Sequence, residues 1–343
     1  MQIVNGQLVS GKKVILRYDI DVALRSAQGK LVVGEEFKLR AGLPTLKLCL
    51  ENAEKVILMG HVGRPALPAG GPDGKVVPGL SVEPIRKWLE DKGYSGDLGS
   101  GKLKILENLR FDPREEACDP DYARELASMG DIYVNEAFSS YRPAASTTIL
   151  PTFLPHAAGL HFTEEVRNFR EVRENPKKPL IVIMGGIKVK DKLPFIKLMA
   201  KKADAVLVGG KLVQEIRDLA SLRGRSGQKI ELPSNVLVAS LNEDGFDITP
   251  ESVSSWKNLI MKANMIIWNG PMGRIEDPKN DSTQKVGKIV ADSKAESIVG
   301  GGDTVSALNQ AGLLDKFSFV SVGGGAMLKF LTDGTLPTIE ALQ

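Results

Sequence analysis

Cysteine and histidine are scarce in this chain. The two cysteines, Cys49 and Cys118, stand far apart, which excludes a disulfide framework and a CxxC metal motif. Of the three histidines, His156 and His161 have no partners at metal-ligand spacing and read as structural, which leaves His61 for chemistry. No sign of charge dominates. Lys and Arg total 45 against 42 Asp and Glu, a net charge of +3, so no general nucleic-acid binder is expected. No apolar run approaches the ~18 residues needed to cross a bilayer, so no membrane partner is expected either. The segment Met1-Gln2-Ile3-Val4-Asn5-Gly6 lacks a basic stretch followed by an apolar core, and no signal peptide is expected. Two nucleotide motifs are missing as well. Without GxxxxGK[ST] there is no P-loop, and without GxGxxG after a strand a dinucleotide fold is disfavoured. Repeats and low-complexity tracts are also absent. The expectation is a soluble, cytoplasmic globular protein.

What is present is an alternation of short Val/Ile/Leu runs with helical stretches. A chain of 343 residues, 42% hydrophobic and 25% charged, favours two domains. Strands are expected at 14–17, 55–59, 103–106, 132–134, 180–184, 205–208, 236–238, 265–268, 297–299 and 319–321. Helices are expected between many of them, such as 81–92, 122–129 and 193–202. Trp88 and Trp256 read as packing residues. Continuous apolar strands alternating with helices imply the α/β class, with parallel sheets covered on both faces. Such sheets bind ligands beyond the C-terminal ends of their strands. The stretch 156–173 reads as one long charged helix, ended by Asn175-Pro176-Lys177-Lys178-Pro179. The expected division is therefore a first domain over 1–155, a connecting helix over 156–176 and a second domain over 177–327. The tail 328–343 is too small to stand alone.

The two halves differ at their strand ends. The first half carries charge there: Asp19, Asp21, His61, Arg64, Arg110 and Arg142. Arginine's planar fork suits carboxylate and phosphate, and the set suggests a small, multiply charged anion. The second half carries glycine at Gly185-Gly186, Gly209-Gly210, Asn269-Gly270-Pro271, Gly300-Gly301-Gly302 and Gly323-Gly324-Gly325. Without a Cβ, backbone N–H groups can approach a polyanion, and a following helix N-terminus adds partial positive charge. This describes a nucleotide-phosphate site. Asp191 reads as a helix cap with Pro194 in the first turn, which brings Lys188 and Lys192 within reach of phosphates. Asp303, at a helix start, reads equally as a Mg²⁺ ligand on a nucleotide or as a simple N-cap. Glu276 reads as an acceptor for ribose hydroxyls or as an exposed loop carboxylate.

Taken together, these pieces resemble the phosphoglycerate kinase family over essentially the whole chain. The first half supplies Leu16-Arg17-Tyr18-Asp19-Ile20-Asp21-Val22, Gly60-His61-Val62-Gly63-Arg64-Pro65, Leu106-Glu107-Asn108-Leu109-Arg110-Phe111 and Asn135-Glu136-Ala137-Phe138. The second half supplies the segment 185–192, Gly245-Phe246-Asp247-Ile248-Thr249-Pro250, Trp268-Asn269-Gly270-Pro271-Met272-Gly273, Gly300-Gly301-Gly302-Asp303-Thr304 and Gly323-Gly324-Gly325-Ala326. The resemblance implies two doubly wound α/β domains joined by a hinge helix, with the C-terminal tail returning to the first domain. It also implies reversible phosphoryl transfer from 1,3-bisphosphoglycerate to MgADP, giving 3-phosphoglycerate and MgATP, by a monomer that closes around its substrates.

Roles follow by position. Asp19, Asp21, His61, Arg64, Arg110 and Arg142 would hold the phosphoglycerate. Lys188 and Lys192 would meet the nucleotide phosphates, Lys192 also the transferring group. Gly186, Gly210, Asn269, Pro271, Glu276, Gly300, Gly301, Gly302 and Thr304 would contact the nucleotide. Asp303 would bind Mg²⁺, and the Gly302 and Gly325 turns would offer amides to the transferring group. The chain also departs from the family. Asp21 stands where the family has asparagine. Lys38 stands where it has the arginine that stabilises the transferring phosphoryl group, and histidines usual around Arg142 are missing. Lys211 replaces a third glycine, and the chain is short between 93 and 103 and between 211 and 236. On a helix, Arg40 would point about 200° away from Lys38, so Lys38 is expected to take the arginine's place. Asp21 and Lys38 motivate one alternative, a catalytically weak homologue that binds nucleotide and acts as a regulatory or interaction protein.

Overall fold

The computed structural model describes residues 1–27, 30–34, 36–65, 78–187, 189–221 and 231–343. The strands in chain order are β1 (Lys13–Arg17), β2 (Leu24–Ala27), β3 (Lys30–Val33), β4 (Lys55–Met59), β5 (Leu103–Ile105), β6 (Ile132–Asn135), β7 (His156–Ala158), β8 (Leu180–Met184), β9 (Ala205–Val208), β10 (Val236–Val238), β11 (Met265–Asn269), β12 (Glu296–Gly300) and β13 (Phe319–Ser321). All ten expected strands form. Two compact units result. One comprises Met1–Asn168 with Thr335–Gln343, the other Phe169–Gly334.

The first unit holds a parallel sheet of order β5-β4-β1-β6-β7, and the second a parallel sheet of order β10-β9-β8-β11-β12-β13. Both are doubly wound. The chain starts at an inner strand, works outward to one edge, then returns to build the other side. The switch lies between β1 and β6 in the first sheet and between β8 and β11 in the second. Val14, Leu16, Val56, Leu58, Ile132 and Val134 are buried in one core; Ile181, Ile183, Leu207, Ile266, Trp268 and Val299 in the other. Strands buried on both faces explain the unbroken apolar runs. Trp88 and Trp256 are buried packing residues, as read from the sequence.

The connecting helix needs a correction. It runs over Leu160–Glu174, while His156–Ala158 pairs with β6 as the edge strand β7. The charged period of the helix masked a three-residue strand. Ala157 and Ala158 are fully buried, and the His156 ring hydrogen-bonds through Nδ1 to the Pro151 carbonyl at 2.9 Å. Glu136, just past β6, then accepts the N–H groups of His161 (3.0 Å) and Phe162 (3.1 Å) and the Thr45 hydroxyl (2.8 Å). The two N–H groups are orphan donors of the helix start. A Cβ on Gly159 would lie 1.8 Å from a Glu136 carboxylate oxygen, so only glycine fits there. The hairpin of β2 and β3 was not expected; neither strand has a long apolar run.

Candidate active site

A cleft of about 490 Å³ in the first unit collects charged side chains at the sheet's switch point. Of the sequence-predicted residues, Asp21, His61, Arg64, Arg110 and Arg142 line it. Arg17 lines it too and was not singled out from the sequence. It ends β1, is 1% exposed, and uses its whole fork: Nε donates to Ser146 Oγ (3.0 Å), Nη1 to the Tyr18 carbonyl (2.9 Å) and Nη2 to His61 Nδ1 (2.8 Å). A guanidinium can only donate. His61 Nδ1 must therefore be the accepting nitrogen, and the ring carries its proton on Nε2. Burial pushes the His61 pKa down, with Arg17 and Arg110 acting the same way against Asp21. His61 is thus a neutral ring offering one N–H.

The carboxylates in this cleft are individually accounted for. Glu115, 1% exposed, accepts the Ser146 N–H (3.0 Å) and hydroxyl (2.5 Å), which links it to Arg17 through Ser146. Asp21 accepts the Gly63 N–H at 2.8 Å and lies 3.6 Å from His61 Nε2. Burial opposes its charge, but the His61 ring, the Gly63 N–H and Lys38 carry its pKa well below the ordinary carboxylate range. Arg110 donates through Nη1 to the Gly63 carbonyl (2.8 Å) and pairs through Nε with Glu116 (3.1 Å).

Asp19 and Lys38 adjoin the cleft through Asp21 and Ser139. Lys38 is the second residue of helix Phe37–Asn52. Its Nζ donates to the Asp21 carbonyl (3.0 Å) and to Ser139 Oγ (3.4 Å), and lies 3.7 Å from Asp19 Oδ1. The Ser139 hydroxyl donates in turn to Asp19 Oδ2. Asp19 Oδ1 is buried with no hydrogen-bond partner among the described residues. The segment is helical, so the expected divergence of Lys38 and Arg40 is realised: Arg40 pairs with Glu36 at 2.5 Å on the exposed side.

In the second unit the glycine turns meet at the switch between β8 and β11. A Cβ on Gly185 would lie 2.1 Å from the Pro271 carbonyl oxygen, and Gly270, at φ +94°, faces the Gly185 carbonyl just as closely. These two turns touch backbone to backbone, which no other residue permits. Gly302 differs: no described atom lies within 4 Å of where its Cβ would be. Packing does not demand glycine there. Its absence of a side chain leaves the start of helix Gly302–Gln310 bare.

A cleft of about 270 Å³ beside these turns is lined by Gly186, Pro271, Glu276 and Asp303 from the expected set. Asp303 sits in the first turn of its helix, exposed; the N-cap position belongs to Gly301, so the simple N-cap reading of Asp303 does not hold. Glu276 is an exposed loop carboxylate 4.0 Å from Arg274. Lys211, noted from the sequence as replacing a glycine, also lines the cleft, as do Ile187, Phe246 and Arg274, to which the sequence had assigned no contact. Phe246 is 47% exposed, unusual for a ring that size, with the Arg274 guanidinium 5.4 Å from its centroid. Its signal in the sequence was its place in the motif Gly245-Phe246-Asp247-Ile248-Thr249-Pro250.

Other expected contacts are placed differently. Asn269 is buried and stitches two turns, donating to the Gly324 carbonyl at 3.2 Å. The Lys192 ammonium donates to the Gly185 carbonyl. Thr304 is buried, its hydroxyl unpartnered among the described residues. Gly300 ends β12, and Gly210, Gly301, Gly302 and Gly325 belong to turns and helix starts; none of the five lines the cleft. Lys188 lies outside the described residues. The helix expected to be capped by Asp191 begins earlier, at Val189, with Pro194 inside it. No group of three or more His, Cys, Asp or Glu side chains poised to hold a metal occurs among the described residues, and no described helix is long and apolar enough to cross a membrane.

Comparison with known proteins agrees with this geometry. The family model described as phosphoglycerate kinase matches residues 4–223 and 213–334. Phosphoglycerate kinases from Roseiflexus sp. (strain RS-1) and Herpetosiphon aurantiacus are each 35% identical to the chain, with 97% of both chains covered. The structure of phosphoglycerate kinase from Coxiella burnetii is similar with a TM-score of 0.76 at 28% identity, covering 97% of this chain and 96% of that one. The Pyrococcus horikoshii phosphoglycerate kinase shares the fold with a TM-score of 0.80 at 24% identity.

Proposed function

The chain belongs to the phosphoglycerate kinase family, and we propose on that premise how its two clefts divide the reaction. The protein is a phosphoglycerate kinase: it moves a phosphoryl group reversibly between 1,3-bisphosphoglycerate and ADP, giving 3-phosphoglycerate and ATP. One observation carries the assignment of roles. Each doubly wound sheet bears one cleft at its switch point, the first rich in guanidinium groups, the second built of glycine turns.

In this reading the first cleft takes the phosphoglycerate. Arg64, Arg110 and Arg142 face its negative charge, and His61 donates through Nε2. Asp19 and Asp21 are acceptors only, so they meet the ligand's hydroxyl rather than its anionic groups. The second cleft takes the nucleotide. Phe246, Ile187 and Pro271 offer apolar surface to the base, and Glu276 accepts from the ribose. The glycine turns, Lys188, Lys192 and Lys211 serve the phosphates.

Asp303 is the residue that would hold Mg²⁺: an exposed hard-oxygen donor on this cleft suits a cation that arrives on a nucleotide and keeps most of its other ligands. Magnesium supplies charge neutralisation at the phosphates. The acceptor carboxylate of 3-phosphoglycerate is already ionised at neutral pH, so no general base is required. Catalysis then rests on in-line positioning, charge stabilisation and exclusion of water, and closure of the two units is part of the proposal. We take the enzyme to act as a cytoplasmic monomer.

A coupled assay tests the function. Pure protein should form ATP from ADP and 1,3-bisphosphoglycerate with Mg²⁺ present. Complete inactivity at saturating substrates would overturn the assignment, and surviving nucleotide binding in that sample would favour the regulatory homologue.

Asp303→Asn tests the metal role. It should leave folding intact and weaken MgADP binding far more than binding of metal-free ADP, because an anionic ligand is lost. Equal weakening of both forms by calorimetry would remove Asp303 from the metal site.

A further inference from the structure

Four arginines and three carboxylates line the first cleft. Two of the carboxylates are fixed in place. Glu115 is buried against Ser146, and Asp21 is tied to the Gly63 N–H. Glu116 differs. Its side chain is 64% exposed, and its Oε1 lies 3.1 Å from Arg110 Nε. Arg110 itself is 16% exposed and has already committed Nη1 to the Gly63 carbonyl at 2.8 Å. Of the two edges by which an oxyanion can grip a guanidinium at two points, the one formed by Nε and Nη2 is the one that the Gly63 bond leaves untouched. Glu116 lies at the Nε end of that edge, as an ion pair 3.1 Å away rather than as a hydrogen-bonded partner.

We infer that Glu116 is a built-in competitor for Arg110, an internal carboxylate that occupies the anion's place and is displaced when phosphoglycerate binds. The inference rests on the reading that this cleft takes the phosphoglycerate. An exposed carboxylate paired at one nitrogen contributes little and is screened by salt, so it yields rather than blocks. It still sets a threshold. A singly charged anion offers Arg110 nothing that Glu116 does not already supply from a tethered position. A dianionic phosphate does. Glu116 thereby tilts the cleft toward multiply charged ligands at the cost of some affinity.

Glu116→Gln tests this, since it removes the charge and keeps the shape of an exposed side chain. The KM for 3-phosphoglycerate should fall by about threefold, the size expected for release of one exposed ion pair. kcat should stay within error. Calorimetric affinity for 3-phosphoglycerate without nucleotide should rise by the same factor, and the gap between variant and wild type should narrow at high salt. A KM and an affinity that are unchanged or worsened in an otherwise active variant would make Glu116 a residue that orients Arg110, and the inference would be wrong. Wild-type protein that neither turns over nor binds 3-phosphoglycerate would instead overturn the functional reading, and this inference with it.

Discussion

Lys38→Ala should lower kcat by on the order of a hundredfold or more, with a smaller change in KM. Side chains that clamp a transferring phosphoryl group typically contribute several kcal/mol in the transition state and little in the ground state. The Lys38 ammonium is held within reach of that task by the Asp21 carbonyl and Ser139 Oγ, with the Asp19 carboxylate 3.7 Å away. All three are acceptors that hold the cation beside Asp21 and Ser139, which line the first cleft. An ammonium offsets charge but lacks the bidentate fork, so Lys38→Arg should retain or raise kcat. Arg40→Ala should matter much less, because Arg40 is engaged with Glu36 on the exposed side of the helix. Steady-state kinetics of the three variants decides the matter. Loss of turnover in Arg40→Ala, with Lys38→Ala tolerated, would assign the role to the wrong residue here.

Arg17→Met should be the most destabilising single change in the first cleft. Methionine can fill the volume but satisfies none of the three acceptors that Arg17 serves. It also breaks the link that joins the site through Ser146 to Glu115, which is 1% exposed. Removing one member of a buried charged network costs about 3–5 kcal/mol. For a unit of this size that corresponds to a fall in Tm on the order of 10 °C. The folded fraction should also bind phosphoglycerate less well, since His61 loses the donor that fixes its tautomer. A thermal melt shifted by less than about 2 °C would mean that the network is no more than surface-like in strength. Arg17→Lys should recover only part of the loss, because an ammonium cannot span three partners in one plane.

The course of the strands was legible because period and length are local properties. Ten apolar runs bounded by breakers became ten strands, and their continuous hydrophobicity announced parallel sheets buried on both sides. The strand β7 was not legible: His156-Ala157-Ala158 lacks the Val/Ile/Leu run that marked the others, and Ala157 and Ala158 are strand-forming here because β6 offers them an open edge. The glycine turns were legible as a class, and so were the arginines at strand ends. Their roles divide by geometry. Asn269 looks like a ligand contact in sequence and is a stitch between turns in the fold. Arg17, overlooked as the last residue of a buried strand, proves central because its side chain turns toward His61 and Ser146.

By itself the sequence determined the α/β class, the two-sheet plan and the family, and it set arginine at the strand ends of one half and glycine turns at those of the other. These depend on composition and spacing along the chain. Tertiary structure alone decided which groups face each other. It set the proton position on His61, through an arginine 44 residues away. It set the company of Lys38, through a serine 101 residues away, and the choice between Lys38 and Arg40, through the helical state of one segment. It placed Glu116 across Arg110. Each of these is a matter of a few ångströms set by the folded backbone, and electrostatic interactions at that range depend on distance and burial rather than on order in the chain.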